Sequence, residues 1–157
     1  MDAEVYSDEK VSRMITENFL PVRVHVREEA EDFRRLSERF GAQWTPTILM
    51  LDPSGMERHR VEGFLPVEDF MGQLGLGLGR IHFSAGRFEE AERQFREVVT
   101  RHPNSDAAPE GLYWAGVSRY KRTNESTALE DTARAFQESY ADTPWAKKAS
   151  VWTKKST

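Results

Sequence analysis

The spacing of apolar residues changes character once along this chain of 157 residues, at Gly75-Leu76-Gly77-Leu78-Gly79. Before these glycines, short alternating runs are interleaved with helical spacings; after them, everything reads as helix. A period of two buries one face of a strand, whereas a period of about 3.6 buries one face of a helix. A chain that mixes the two and then keeps only the second is expected to fold as an α/β segment followed by an all-α one. The boundary is expected near residue 74, giving domains over 1–74 and 75–157. The glycines read as a hinge, since neither a Gly-Lys-Ser/Thr nor a dinucleotide fingerprint accompanies them.

In the first half, Ser7 stands ahead of Asp8, Glu9 and Lys10 as the expected N-cap of a helix. Val11, Met14, Ile15 and Phe19 fall on its apolar side, and Pro21 ends it. Val22, Val24 and Val26 then alternate with Arg23, His25 and Arg27, the pattern of a half-buried strand. Residues 28–40 return to helical spacing through Phe33, Leu36 and Phe40, with Gly41 in the usual stop position. Thr47-Ile48-Leu49-Met50-Leu51 is a short continuous apolar run, expected to be a strand covered on both faces. Asp52-Pro53-Ser54-Gly55 has the residues of a tight turn, so 56–61 is expected to return as the second strand of a hairpin. A helix over 67–74, with Phe70, Met71 and Leu74 on one face, closes this half.

This order of helix, strand, helix, strand, strand, helix resembles the thioredoxin fold, and specifically bacterial thioredoxin-like proteins. MDAEVYSDEKVSRMI, FLPVRVHV, the helix ending RFGAQ, and WTPTILMLDPSG followed by VEGFLP occur in the family's order. The spacing of Trp44-Thr45-Pro46-Thr47 to the Asp-Pro-x-Gly turn is the most specific part. The resemblance implies that Thr45-Pro46-Thr47 is the family's cis-proline loop. It implies that Trp44, Thr45 and Pro46 meet extended peptide substrates through their backbone. It also implies a buried parallel strand ending in Cys-x-x-Cys just ahead of Met1, at a helix N-terminus that lowers the thiol pKa.

The chain has no cysteine, so no dithiol chemistry and no catalytic residue are expected of it. Three accounts of the missing strand stay open. The true start lies upstream; or a partner or second copy donates the strand, as in a homodimer by strand donation; or the remaining strands rearrange into a sheet that has lost the redox site.

The second half resembles a tetratricopeptide repeat, most clearly in LGRIHFSAGRFEEAERQFREVVTRHP. Leu78-Gly79, Gly86, Phe88, Ala91, Phe95 and Pro103 fall at the family's spacing. Gly79 and Ala91 let two helices approach closely, Phe88 and Phe95 fill between them, and Pro103 ends the second helix. His82 stands where the family prefers an aromatic. A second unit opens with Leu112, Ala115-Gly116 and Tyr120, passes through a polar turn expected over 122–128, and resumes with Ala133, Phe136 and Pro144. Residues 145–152 are expected to start a capping helix and 154–157 to form a polar tail. The resemblance implies a concave groove for an extended or helical peptide, lined by the first helices, with Arg80, Phe83 and Tyr113 facing it.

A formal net charge of −4 supplies no basic face to displace counterions from phosphates, so nucleic acid is not an expected partner. No apolar run reaches the ~20 residues of a membrane span, so no membrane partner is expected. Met1-Asp2-Ala3-Glu4 is acidic where a secretory signal would be basic. The expected compartment is the cytoplasm, or the periplasm if a signal segment is missing upstream. His25, His59, His82 and His102 lie far apart with no cysteine among them, so no metal site and no cofactor are expected. His102 is expected to serve a local capping role before Pro103.

The chain therefore reads as an α/β thioredoxin-like domain, incomplete at its N-terminus, followed by an all-α tetratricopeptide-like helical segment. The expected role is a non-catalytic module that binds a protein or peptide partner. The alternative is the C-terminal portion of a thiol–disulfide oxidoreductase whose Cys-x-x-Cys lies upstream of Met1.

Overall fold

The structure is a computed structural model that describes residues 5–153. Met1, Asp2, Ala3 and Glu4 and the tail expected over 154–157 lie outside the described residues. The chain divides into two compact units, one up to Val67 and one from Glu68 onward.

The first unit opens with α1 (Glu9–Asn18), whose N-cap is Asp8 and not the expected Ser7. Asp8 holds an extended backbone, and its carboxylate accepts from the N–H groups of Lys10 at 2.8 Å and Val11 at 3.3 Å. A charged acceptor also suits the positive end of the helix, which a serine hydroxyl matches less well. Helix α2 (Ala30–Phe40) stops at Gly41, which takes φ 62°, a left-handed conformation open to glycine without a Cβ penalty.

Strands β1 (Thr47–Leu51) and β2 (Glu57–Glu62) pair antiparallel, Thr47 opposite Glu62 and Met50 opposite His59, with a bulge between Met50 and Leu51. Asp52 builds the turn between them: its carboxylate accepts from Ser54 N–H at 2.8 Å and Met56 N–H at 3.1 Å, while Gly55 N–H donates to its carbonyl.

Two expectations for this unit fail. Residues 22–26 join no strand ladder among the described residues; 19–25 run as irregular chain, and 26–29 form a turn. Alternation sets which side chains share a face, but a strand exists only when a neighbour takes up its N–H and C=O groups. For the same reason β1 is not covered on both faces. In a sheet of two strands only its Met50 is buried, while Leu51 is exposed.

The second unit is helical: α3 (Val67–Ser84), α4 (Phe88–Arg101), α5 (Ala107–Thr123), α6 (Thr127–Ser139) and a short α7 (Pro144–Ala149) that ends in a 3-10 turn. The helix expected over 67–74 runs ten residues further, so the glycine run is helix interior and not a hinge. Each glycine in a helix costs about 1 kcal/mol against alanine, and packing across the helix pair overrides that preference. A Cβ on Gly75 would lie 2.5 Å from Val98 Cγ2, and one on Gly79 would lie 2.4 Å from Phe95 Cε1. The glycines leave room for the Val98 and Phe95 side chains of α4 against the backbone of α3.

Phe95 is fully buried there with Leu76, Ala91, Val98, Ala107 and Ala115. A second cluster forms around Phe136, Ala146 and Ala149. The polar turn expected over 122–128 narrows to 124–126, because Asn124 takes φ 58° and ends α5 abruptly.

Candidate peptide-binding surfaces

Each unit presents one surface built from the residues that the sequence singles out. In the first unit, Trp44, Thr45 and Pro46 lead from the end of α2 into β1, and all three are exposed. The Thr45–Pro46 peptide bond is cis. Two hydrogen bonds fix the loop: Thr47 Oγ1 donates to the Trp44 carbonyl at 2.6 Å, and Gly63 N–H donates to the Pro46 carbonyl at 2.9 Å. The backbone of Thr45, between them, makes no hydrogen bond among the described residues. The Trp44 side chain stands 69% exposed above this loop.

The start of the loop is anchored from β2. The Arg60 guanidinium donates to the Phe40 carbonyl at the end of α2, and pairs with Glu57 at 2.8 Å and Glu62 at 3.1 Å. Its hydrogen bonds and charge hold the Glu57 carboxyl below its ordinary pKa. The expected histidine roles resolve separately. His102 caps the end of α4, and its Nδ1 lies 2.7 Å from Glu68 Oε2. Burial and the nearby Arg87 push the His82 imidazole below its ordinary pKa. No group of side chains suited to a metal ion occurs among the described residues.

In the second unit, Arg80 and Phe83 come from α3 and Tyr113 from α5. Arg80 pairs with Glu110 and stands over the Trp114 ring, 5.2 Å from its centroid. Phe83 meets Trp114 edge-on at 5.3 Å and Phe88 at 5.2 Å. Tyr113 stacks on Trp152 at 4.7 Å and leans on Trp145 at 5.2 Å and Trp114 at 5.7 Å. Aromatic rings therefore run continuously from Phe88 through Phe83, Trp114 and Tyr113 to Trp152. Arg80 Nε and Trp114 Nε1 are buried donors without an acceptor among the described residues.

Sequence reasoning missed Trp114 and Glu110 and gave Trp152 no role beyond a capping helix. Their one signal is the spacing of aromatic residues on α5 and after Pro144. It missed equally an open cleft where Tyr140 donates to the Pro103 carbonyl at 2.9 Å, beside Asp106, Thr143 and Trp145. Burial raises the pKa of the Tyr140 phenol.

Among the described residues no helix is long and apolar enough to cross a membrane. No curated protein and no solved structure matches the chain. A family model for a thioredoxin-like domain matches residues 1–76, and one for a tetratricopeptide repeat matches residues 74–105, which contain α4 and most of α3. The second helix pair, α5 and α6, lies beyond that match and repeats its packing, with Phe136 buried as Phe95 is. The chain thus joins a thioredoxin-like domain, here without cysteine, to tetratricopeptide-type helices.

Proposed function

We propose that this chain is a non-catalytic protein-interaction module that takes an extended peptide segment at Trp44, Thr45 and Pro46. The observation that carries the reading is Trp44, 69% exposed, beside a Thr45 backbone with no hydrogen-bond partner among the described residues, in a loop that is otherwise tied down. An exposed aromatic next to free backbone groups suits a peptide that buries one side chain and extends a short run of main-chain hydrogen bonds. Catalysis by thiol exchange requires a thiolate, and the chain supplies none. Tetratricopeptide units mediate contacts between proteins, and the surface with Arg80, Phe83 and Tyr113 is the second contact region of the reading.

A phage-displayed peptide library panned on the full chain tests this. The expected result is a family of enriched peptides whose affinity falls about tenfold in Trp44→Ala, the loss of one aromatic anchor, and is unchanged in Ser54→Ala. Enrichment no greater than on an unrelated protein, or affinity indifferent to Trp44, would sink the proposal. No reduction of insulin disulfides is expected.

The second reading, part of a thiol–disulfide oxidoreductase, is favoured by the match to a thioredoxin-like domain together with the segment over 19–25, which joins no strand ladder among the described residues. It predicts that the endogenous protein has an intact mass several kilodaltons above the 18.1 kDa of this chain. A mass equal to 18.1 kDa would reject it.

A further inference from the structure

The turn that joins α4 to α5 and the turn that joins α6 to α7 line one open cleft of about 500 Å3, inside the ~300–1,000 Å3 of ligand sites. Its apolar wall is made of rings: Pro103, Pro109 and Pro144, with Tyr140 and Trp145. Both turns are fixed. The Tyr140 hydroxyl donates to the Pro103 carbonyl at 2.9 Å and ties one turn to the other, while Asp106 N–H donates to Asp69 Oδ1 at 3.1 Å. The other hydroxyls of the cleft are spent within the chain, Ser105 on the His102 carbonyl at 2.7 Å and Thr143 on the Tyr140 carbonyl at 2.8 Å. Three polar side chains are left. The Trp145 indole N–H is not buried and has no acceptor among the described residues, and the Asn104 amide makes no hydrogen bond among them. The Asp106 carboxylate neither caps α5 nor joins an ion pair among the described residues. It is the only charged side chain among the residues that line the cleft.

We propose that this cleft binds an extended proline-rich segment of a partner protein that carries one arginine. Proline rings suit a wall of rings, and a polyproline helix enters with its backbone already set, so little entropy is lost on docking. Such a chain offers carbonyls and few N–H groups. The cleft answers with the unused donors of Trp145 and Asn104, while the Pro103 and Tyr140 carbonyls are already engaged. Charge chooses the remaining residue. Lys148 stands over the Trp145 ring, 3.9 Å from its centroid, so the place for a cation on that ring is filled. The Asp106 carboxylate has no cation of its own, and a guanidinium fork matches it with two parallel hydrogen bonds. An acidic segment would meet Asp106 as a like charge. The cleft shares no residue with the Trp44 loop or with the surface of Arg80, Phe83 and Tyr113, so the proposal stands apart from both.

Fluorescence anisotropy of a labelled Pro-Pro-Arg-Pro-Pro peptide with the full chain at low salt tests this. One control replaces the arginine by citrulline, which keeps the shape without the charge, and another replaces every proline by alanine. The parent peptide is expected to bind saturably. The citrulline peptide should bind roughly fivefold more weakly, the worth of one exposed charge pair, and the alanine peptide more weakly still. Asp106→Asn is expected to remove the preference for arginine while leaving the affinity for the citrulline peptide unchanged. Trp145→Phe, which keeps a ring without its N–H, should weaken both peptides; if that variant proves unstable, Asp106→Asn carries the test. No saturable binding of the parent peptide, or equal affinity for its citrulline version, would overturn the proposal. So would an arginine preference that survives Asp106→Asn, or an alanine peptide that binds as tightly as the parent. Loss of binding in Trp44→Ala would overturn it too, by placing the peptide on the other unit.

Discussion

Gly116 on α5 and Thr132 on α6 press together so closely that a Cβ on Gly116 would lie 2.1 Å from Thr132 Oγ1, 2.7 Å from its Cγ2 and 2.8 Å from its Cβ. The threonine is buried, and its hydroxyl is already committed to the Ala128 carbonyl at 2.7 Å, so it has no easy retreat. This contact sets the spacing of the second helix pair, as Gly79 against Phe95 sets that of the first.

Gly116→Ala is therefore expected to destabilise the chain although alanine is the better helix former. Overpacking costs about 1–3 kcal/mol and helix propensity returns about 1, so with three threonine atoms in the way the net loss is about 1–2 kcal/mol. Urea unfolding measures it. Thr132→Ala in the same background should recover part of the loss and not all, because the Thr132 Cβ stays too close. A Gly116→Ala variant as stable as the parent would mean that the helices are not held at this distance.

Arg60→Ala should loosen the lead into the Trp44 loop. The guanidinium is about a quarter exposed and serves the Phe40 carbonyl as well as Glu57 and Glu62, so its removal leaves a helix-end carbonyl and two carboxylates without their cation. A loss of about 2 kcal/mol is expected from charged hydrogen bonds of this kind. Arg60→Lys should recover little, because an ammonium cannot reproduce the fork that reaches both neighbours. Proteolysis within residues 41–46 should quicken in both variants. Unchanged cleavage there would show that the loop is held by other means.

The parts of the fold legible in the sequence are those that local chemistry decides. Gly41 ends α2 because glycine takes φ 62° freely, and the turn from Asp52 to Gly55 follows from an aspartate that bonds its own backbone. The pattern of Val22, Val24 and Val26 carries no information about a neighbour, so it could not foretell that no strand among the described residues pairs with it. Gly75 and Gly79 read as a break because their local preference is against helix. The side chains that fill the missing Cβ positions, Val98 and Phe95, lie on another helix. The candidate sites divide in the same way. Trp44, Thr45 and Pro46 are contiguous and readable as a motif. The partners of Arg80 and Tyr113, namely Glu110, Trp114, Trp145 and Trp152, come from α5, α7 and the turn after it, which no local spacing brings together.

The hairpin turn should respond to acid through Asp52. The hydrogen bond from the Ser54 hydroxyl, with those from Arg58 and from the Met56 and Ser54 N–H groups, outweighs partial desolvation and holds its carboxyl well below the usual carboxylate range. A carboxyl whose folded pKa is depressed contributes stability that is fully present above its unfolded pKa, about 4, and that is lost as pH falls further toward the folded value. The parent should therefore melt above Asp52→Asn at pH 7, and the gap should narrow progressively below about pH 4. A gap that stays constant down to pH 2 would show that the charge of Asp52 is not what holds the turn.

Tyr113 distinguishes a ring that holds the helices together from one reserved for a ligand. It stacks on Trp152 with an interplanar angle of 26°, leans on Trp145 and touches Trp114 edge-on, so three elements meet on one side chain. Truncating a fully buried aromatic costs about 3–5 kcal/mol, and Tyr113 is partly buried, so Tyr113→Ala should lose less, about 2 kcal/mol. Because Trp145 and Trp152 would each lose their partner ring, the near-ultraviolet circular dichroism of the tryptophans should fall with it. Tyr113→Phe keeps the ring and should keep both the stability and the spectrum. If instead Tyr113→Ala melts like the parent with an unaltered tryptophan signal but no longer takes up a peptide that the parent binds, the stacking is incidental and Tyr113 belongs to the binding surface alone. If stability and binding fall together in Tyr113→Ala and both survive in Tyr113→Phe, the ring shapes that surface by holding α5 to the end of the helical unit.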